Sequence, residues 1–193
     1  MASKTQGVWG LDIGQCALKA LRCTVNESGE VVAEAFDYIE YPKLLSQPEA
    51  DREELIKEAM SQFLSRNSLR GDKVAIAVSG TSGLSRFFKP PPVEMKRIAD
   101  IVKFEARQQI PFPIEDVVWD YQPMGGMVSE DGIVLDTEIG LFAMKRDLAF
   151  RSLEPFQKAG IKIDLVQLGP LALFNLAGHE LLPPITDDAS YDA

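Results

Sequence analysis

The stretch Gly10-Leu11-Asp12-Ile13-Gly14-Gln15-Cys16-Ala17-Leu18-Lys19 decides the fold of this chain. One apolar run leads into Asp12 and Gly14, and a second apolar run carries Lys19. This pattern predicts a β-hairpin at the start of a domain, with a tight glycine turn at its tip. A glycine turn lets backbone N–H groups approach an anion, Asp12 can hold a hydrated Mg²⁺ through its waters, and Lys19 can reach a phosphate. The stretch favours a site for a metal-bound nucleotide, although an ordinary Asp-x-Gly turn has the same pattern.

The composition indicates a folded chain of one medium or two small domains, with 193 residues of which 46% are hydrophobic. The net charge of -9 disfavours a nucleic-acid partner, because nucleic-acid binders usually present a basic face. Cys16 and Cys23 do not have the spacing of a zinc site and indicate reduced thiols in the cytosol. Since no apolar run reaches about 18 residues, we expect no direct membrane insertion.

The order of elements predicts two interleaved parts. Strands are expected at 8–13, 18–25 and 31–41, followed by a helix that Asp51 caps and a buried strand at 74–78. A separate α+β module is expected over Leu84–Ala159, with a helix that starts near Val93 and a polar loop over 125–136. A strand over Ile161–Leu168 and a helix from Gly169 complete the first part.

A second stretch carries a resemblance to a known family: Phe104-Glu105-Ala106-Arg107-Gln108-Gln109-Ile110-Pro111-Phe112-Pro113-Ile114-Glu115-Asp116-Val117-Val118-Trp119-Asp120-Tyr121. It is similar to the PilM family of type IV pilus assembly, in the FtsA/PilM branch of the actin-like ATPase superfamily, whose first phosphate motif resembles the 10–19 stretch. The resemblance implies an α/β fold, with an actin-like (ribonuclease H-like) subdomain 1A and an inserted α+β subdomain 1C.

The same resemblance implies a division of the chain. Residues 1–83 form the first part of subdomain 1A, 84–160 the inserted 1C-like module, and 161–182 the return strand and helix of 1A. The tail, 183–193, is expected to be disordered, and the second actin-like domain is expected to be missing from this chain.

The resemblance also implies an ATP and Mg²⁺ site in the intact protein. The phosphate-binding residues are expected to be Asp12, Gly14, Gln15, Cys16 and Lys19, with Asp12 holding Mg²⁺ through water. Hydrolysing relatives carry an acidic residue where Gly169 precedes Pro170 here. We therefore expect a weak ATPase at most and an inactive chain in this form, and we assign no catalytic residue.

The partner implied by the resemblance is the N-terminal peptide of a PilN-like inner-membrane protein. Through it the protein is expected to lie in the cytoplasm, at the inner membrane, within the pilus assembly complex. Pro111, Phe112, Pro113 and Trp119 are candidates to line the peptide groove. The alternative is that Phe112 and Trp119 belong to the core of the small module.

Other functions stay open at this point. An FtsA-like cell-division membrane anchor and a degenerate adapter without nucleotide binding are the main alternatives, and a small-molecule kinase of the same superfamily is a third. Whether the machine serves pili, competence or secretion is also open.

Overall fold

The structure, a computed structural model, describes residues 6–129 and 132–180. The chain forms two units: residues up to Val78 with those from Lys162 onward, and Ser79–Ile161. The tail predicted over 183–193, and the predicted end of the last helix, lie outside the described residues. The assignment of the two units to subdomains 1A and 1C stays a prediction.

The first unit is built on one mixed sheet. Its described elements are β1 (Val8–Ile13), β2 (Ala17–Val25), β3 (Val31–Glu40), α1 (Arg52–Arg66), β4 (Lys73–Val78), β11 (Leu165–Leu168) and α4 (Gly169–Glu180). The strand order is β11-β4-β1-β2-β3. β1, β2 and β3 form the predicted antiparallel meander, while β4 runs parallel to both β1 and β11. The return strand is shorter than predicted, because pairing with β4 starts only at Leu165.

Alternation along β1 separates a core face from an outer face of this sheet. Trp9 and Leu11 are each only 2% exposed, whereas Gly10 and Asp12 point to the other side. The Trp9 ring packs edge-on against Phe63 of α1, with ring centroids 5.3 Å apart. Because α1 occupies the core face, the side chain of Asp12 belongs to the outer face.

The N-terminus of α1 is held by Asp51, as its capping sequence predicts. The Asp51 carboxylate accepts a hydrogen bond of 3.1 Å from the backbone N–H of Glu54. We expect Asp51→Ala to lower the free energy of unfolding by about 1 kcal/mol, because a helix-end N–H loses its acceptor. Urea unfolding followed by circular dichroism measures this. Glu49→Ala, which removes a carboxylate from an exposed site before the helix, is the control; equal losses in the two variants would contradict a capping role.

A buried ion pair joins distant segments of the first unit. The guanidinium of Arg22 donates to both carboxylate oxygens of Asp72, over 2.7 and 2.9 Å, and also to Glu34. Asp72 accepts a further hydrogen bond of 2.9 Å from the N–H of Gly7. These hydrogen bonds, led by that to Asp72, raise the pKa of Arg22 above its usual value. The network therefore ties β2 to the residues that precede β1 and β4.

The second unit contains two small antiparallel sheets in its described part. Its elements are β5 (Gly83–Phe88), β6 (Val93–Glu94), α2 (Ile98–Gln109), β7 (Val117–Met124), β8 (Met127–Val128), β9 (Ile133–Leu135), β10 (Glu138–Lys145) and α3 (Arg146–Lys158). The strand orders are β5-β10-β7 and β6-β9-β8. Alternate residues of β10 pack against α2, so that Ile139 and Leu141 contact the cluster that includes Val102.

The second small sheet corrects two sequence predictions. The segment 125–136, predicted as a loop, contains β8 and β9, and β9 also pairs with β6. The helix predicted from Val93 begins instead at Ile98, after the short β6 and a 3₁₀ turn over Met95–Arg97. Two- and three-residue strands are too short to produce a periodic pattern, and Met95, predicted to be buried, is 51% exposed.

Candidate functional site

The tip of the β1–β2 hairpin brings Asp12 and Lys19 together. The two residues are direct partners in the antiparallel ladder, so their side chains share the outer face. The ammonium of Lys19 lies 3.4 Å from a carboxylate oxygen of Asp12, and the two side chains are 52% and 48% exposed. An exposed cation and an exposed carboxylate thus stand side by side, open to a charged ligand.

Gly14 closes the turn and leaves room above this pair. Its N–H donates to the carbonyl of Ala17 over 3.0 Å, so this N–H stabilises the turn and is not directed at a ligand. A Cβ at Gly14 would lie 3.1 Å from that carbonyl oxygen, 3.5 Å from the Lys19 ammonium and 3.7 Å from the Asp12 carboxylate. Any larger residue would therefore fill space directly over the two charges. The contribution expected from Gly14 is this open space.

Gln15 and Cys16 hold the turn to the segment that follows β3. The carbonyl of Gln15 accepts from the N–H of Leu45, and that of Cys16 accepts from the N–H of Tyr41, both over 2.9 Å. The Gln15 side chain is exposed, while the thiol of Cys16 lies 4.0 Å from the hydroxyl of Tyr38. Both backbone carbonyls at the tip are thus occupied, and the Gln15 side chain points to solvent.

The residues at the tip fit a magnesium-bound phosphate in one specific way. Within residues 6–129 and 132–180, no group of three or more His, Cys, Asp or Glu side chains is arranged to hold a metal ion. Direct chelation by a carboxylate cluster is therefore unsupported there. A single carboxylate suits Mg²⁺ that keeps most of its water, and the neighbouring ammonium suits a phosphate oxygen.

A shallow apolar groove continues from the charged pair along the outer face. It has a volume of about 330 Å³, and its lining includes Asp12, Lys19, Leu21, Phe36 and Tyr38. Phe36 is 80% exposed and Leu21 is 45% exposed. Sequence analysis did not identify Phe36 or Tyr38 as part of this site. The signal was the alternation in β3, which places Tyr38 opposite Lys19.

The residues predicted to line a peptide groove occupy different environments in the second unit. Phe112 is 40% exposed, and the ammonium of Lys145 lies 4.3 Å from the centre of its ring. Pro111 and Pro113 on either side are exposed. Trp119 packs against the core cluster of the unit. Phe112 and the two prolines thus offer accessible surface, whereas Trp119 also contributes to the core.

Comparison with known families identifies the chain. The family described as type IV pilus assembly protein PilM matches residues 10–183. The chain belongs to this family. Both motifs on which the sequence prediction rests, the hairpin and the Phe104–Tyr121 stretch, lie within the matched residues.

Solved structures also resemble this chain. A structure described as the PilM-PilN type IV pilus biogenesis complex is 26% identical, with a TM-score of 0.66, over 89% of this chain and 50% of that chain. The cytoplasmic domain of EpsL, an inner-membrane component of the type II secretion system of Vibrio cholerae, is 12% identical, with a TM-score of 0.50, over 83% of this chain and 57% of that one. No curated protein matched. The predicted α/β actin-like fold is confirmed.

This chain spans about half the length of the PilM-PilN complex chain that it matches. In the part of the sequence that the structure describes, none of the helices is long and apolar enough to cross a membrane.

Proposed function

We propose that this member of the PilM family is a nucleotide-binding scaffold of type IV pilus assembly that captures a PilN-like inner-membrane protein. The observation that carries the proposal is the family match over 10–183, together with the similarity to a PilM-PilN complex at 26% identity. The partner site is the surface around Phe112, and the nucleotide site is the Asp12–Lys19 pair. Through the partner the protein is held at the cytoplasmic face of the inner membrane.

The exposed surface around Phe112 supports the partner part of the proposal. An aromatic ring flanked by Pro111 and Pro113 suits an extended peptide, because prolines restrict the backbone and leave the ring accessible. The ammonium of Lys145 lies over the ring, 4.3 Å from its centre, and adds a cation close to this partly exposed surface. A peptide that places an apolar side chain on Phe112 would bury surface that is now exposed to water.

The hairpin supports the nucleotide part. In this proposal Lys19 contacts a phosphate oxygen, Asp12 holds a hydrated Mg²⁺, and Gly14 leaves the space that both require. Gln15 and Cys16 form the rest of the turn beneath the phosphate. Gly169 provides no carboxylate at the start of α4, which favours binding over hydrolysis. ATP then acts as a conformational ligand that shifts the population of states, to the extent that it binds one state better.

Calorimetric titration of this chain with the N-terminal cytoplasmic peptide of its PilN-like partner tests the proposal. We expect saturable one-to-one binding, and we expect Phe112→Ala to weaken it about tenfold, because an exposed aromatic anchor is lost. Phe150→Ala is the matched control, since Phe150 is another exposed phenylalanine of the same unit, in α3. It should leave the affinity unchanged.

Two outcomes would contradict the partner proposal. The first is the absence of binding by the folded, unchanged chain. The second is an equal effect of Phe112→Ala and Phe150→Ala, which would indicate a general loss of apolar surface and not a site at Phe112.

A further inference from the structure

Two adjacent cations, Lys145 and Arg146, contact the segment that carries Phe112. Lys145 ends β10 and is the ladder partner of Val117 at the start of β7, and Arg146 begins α3. The ammonium of Lys145 lies 4.3 Å from the centre of the Phe112 ring. The guanidinium of Arg146 donates to the carbonyl of Glu115 over 3.2 Å and to that of Val117 over 3.0 Å. Two residues of one strand–helix junction thus hold the ring and the backbone that follows it.

The exposed part of this segment is short and lies between buried residues. Ile110 and Val117 are 4% and 2% exposed, and both belong to the core cluster of the second unit. Between them, Phe112 and the prolines on either side of it are exposed. A 3₁₀ turn over Ile114–Asp116 leads from this exposed stretch into β7. Since Arg146 binds one carbonyl within this turn and another directly after it, it fixes the path of the chain between the ring and the sheet.

The stability of α3 does not account for two cations at this junction. The first turn of a helix carries partial positive charge, so carboxylates are favoured there and cations are not. Lys145 is the N-cap of α3 without a side-chain hydrogen bond to the helix, and Arg146 is its first residue. The carboxylate in the same turn, Asp147, lies 3.9 Å from Arg151. The contacts with Phe112 and the backbone after it therefore explain the two cations better than the helix does.

We propose that Arg146 is a positioning residue of the partner site, whose two hydrogen bonds hold the Phe112 ring in the place where an extended peptide packs against it. An aromatic side chain that is already in place loses little conformational freedom when a partner binds, so more of the burial appears as affinity. Without the guanidinium, the turn is released and the peptide must order the ring as it binds. This inference rests on the proposed binding of a partner at Phe112.

Arg146→Ala, compared with Arg151→Ala, tests the inference. Each variant removes one exposed arginine from α3, but Arg151 contacts Asp147 of the same helix. In calorimetric titration with the N-terminal cytoplasmic peptide of the PilN-like partner, we expect Arg146→Ala to weaken binding about fivefold and Arg151→Ala to leave it unchanged. In a Phe112→Ala background, Arg146→Ala should have no further effect, because the ring that it positions is absent.

Arg146→Lys separates positioning from simple attraction of the peptide by positive charge. Lysine keeps the charge of Arg146 but lacks the planar fork that reaches both carbonyls. We therefore expect Arg146→Lys to bind the peptide almost as weakly as Arg146→Ala does. If Arg146→Lys binds as tightly as the unchanged chain, the charge is sufficient and the positioning role is wrong.

Proton NMR of the free chain gives a measurement that does not depend on the partner. Protons over the face of an aromatic ring are shifted upfield, so the methylene protons beside the Lys145 ammonium report on the position of the Phe112 ring. This upfield shift should be present in Arg151→Ala and reduced in Arg146→Ala, with Phe112→Ala as the reference without the ring. An undiminished shift in Arg146→Ala would overturn the inference.

The outcomes distinguish this inference from the proposal on which it rests. If the folded, unchanged chain does not bind the peptide, the partner site at Phe112 and the role of Arg146 both fail. If the chain binds and Phe112→Ala weakens binding, but Arg146→Ala binds as tightly as Arg151→Ala, only the role of Arg146 is wrong.

Discussion

Replacement of Asp72 with alanine is expected to lower the free energy of unfolding of the first unit by about 3–5 kcal/mol. The Asp72 side chain is 1% exposed, and through both carboxylate oxygens it binds the guanidinium of Arg22, whose side chain is 6% exposed. Its loss leaves a buried cation without its strongest partner and removes the acceptor for the N–H of Gly7. Urea unfolding, followed by circular dichroism, measures the change.

Two further variants separate the buried pair from ordinary surface charge. Glu34→Ala removes the other carboxylate that contacts Arg22, but its side chain is 46% exposed, so the loss should be about 1 kcal/mol. Arg22→Met combined with Asp72→Ala should restore part of the stability, because no buried charge is then left uncompensated. If Asp72→Ala costs no more than Glu34→Ala, the network does not stabilise the unit as described.

The effect of Asp72→Ala should not depend on pH near neutrality. The hydrogen bonds to Asp72 raise the pKa of Arg22 above its usual value, which already lies far above neutrality. For a base with a raised pKa in the folded state, the stabilisation is complete below the unfolded pKa and is lost only as the pH rises through the folded value. The loss should therefore be the same at about pH 7 and about pH 9.

Replacement of Asp12 with lysine is expected to weaken binding of Mg²⁺-ATP about a hundredfold. A charged hydrogen bond contributes about 1.5–3 kcal/mol, and this substitution removes the carboxylate that would hold the hydrated Mg²⁺. It also places a second ammonium beside Lys19, where its positive charge would repel Mg²⁺. Because the Asp12–Lys19 pair is half exposed, the stability of the chain should change by less than about 1 kcal/mol. Titration with Mg²⁺-ATP by ³¹P NMR measures the affinity.

Glu27→Lys is the matched control for this substitution. It makes the same change in net charge at an exposed position in the turn between β2 and β3, at the other end of β2 from the hairpin tip. It should leave nucleotide binding unchanged. If Asp12→Lys binds Mg²⁺-ATP as well as Glu27→Lys does, the hairpin is not a phosphate site. If pilus assembly is also unaffected by Asp12→Lys, the protein is an adapter that works without nucleotide.

Much of the fold was predictable because its signals are local. Apolar alternation and a glycine turn predict the N-terminal hairpin, which the structure forms from β1 and β2. The capping residue Asp51 and the helical spacing after it predict α1. A turn-forming stretch over 79–83 precedes the module predicted over Leu84–Ala159, and the second unit of the structure spans Ser79–Ile161.

Part of the candidate site was not predictable, since it depends on residues far apart in sequence. Tyr41 meets Cys16 only because β3 pairs with β2, and nothing in its immediate neighbours marks it as part of the hairpin site. Phe36 joins the outer groove for the same reason. The alternation of β3 predicts which residues share a face, but it does not predict which strand lies beside them.

By itself, the sequence determined the N-terminal hairpin and helix α1, because hydrogen bonding within a helix or across a tight turn involves residues close in the chain. Its two motifs also indicated the family. Only the tertiary structure decided the pairing of Arg22 with Asp72, the small β6-β9-β8 sheet, and the burial of the Tyr41 hydroxyl. Each of these brings together segments that are far apart in sequence. The entropy lost when the intervening chain is closed into a loop is offset only when many contacts form together. Local patterns therefore specify what can form, and the collective packing selects which distant groups meet.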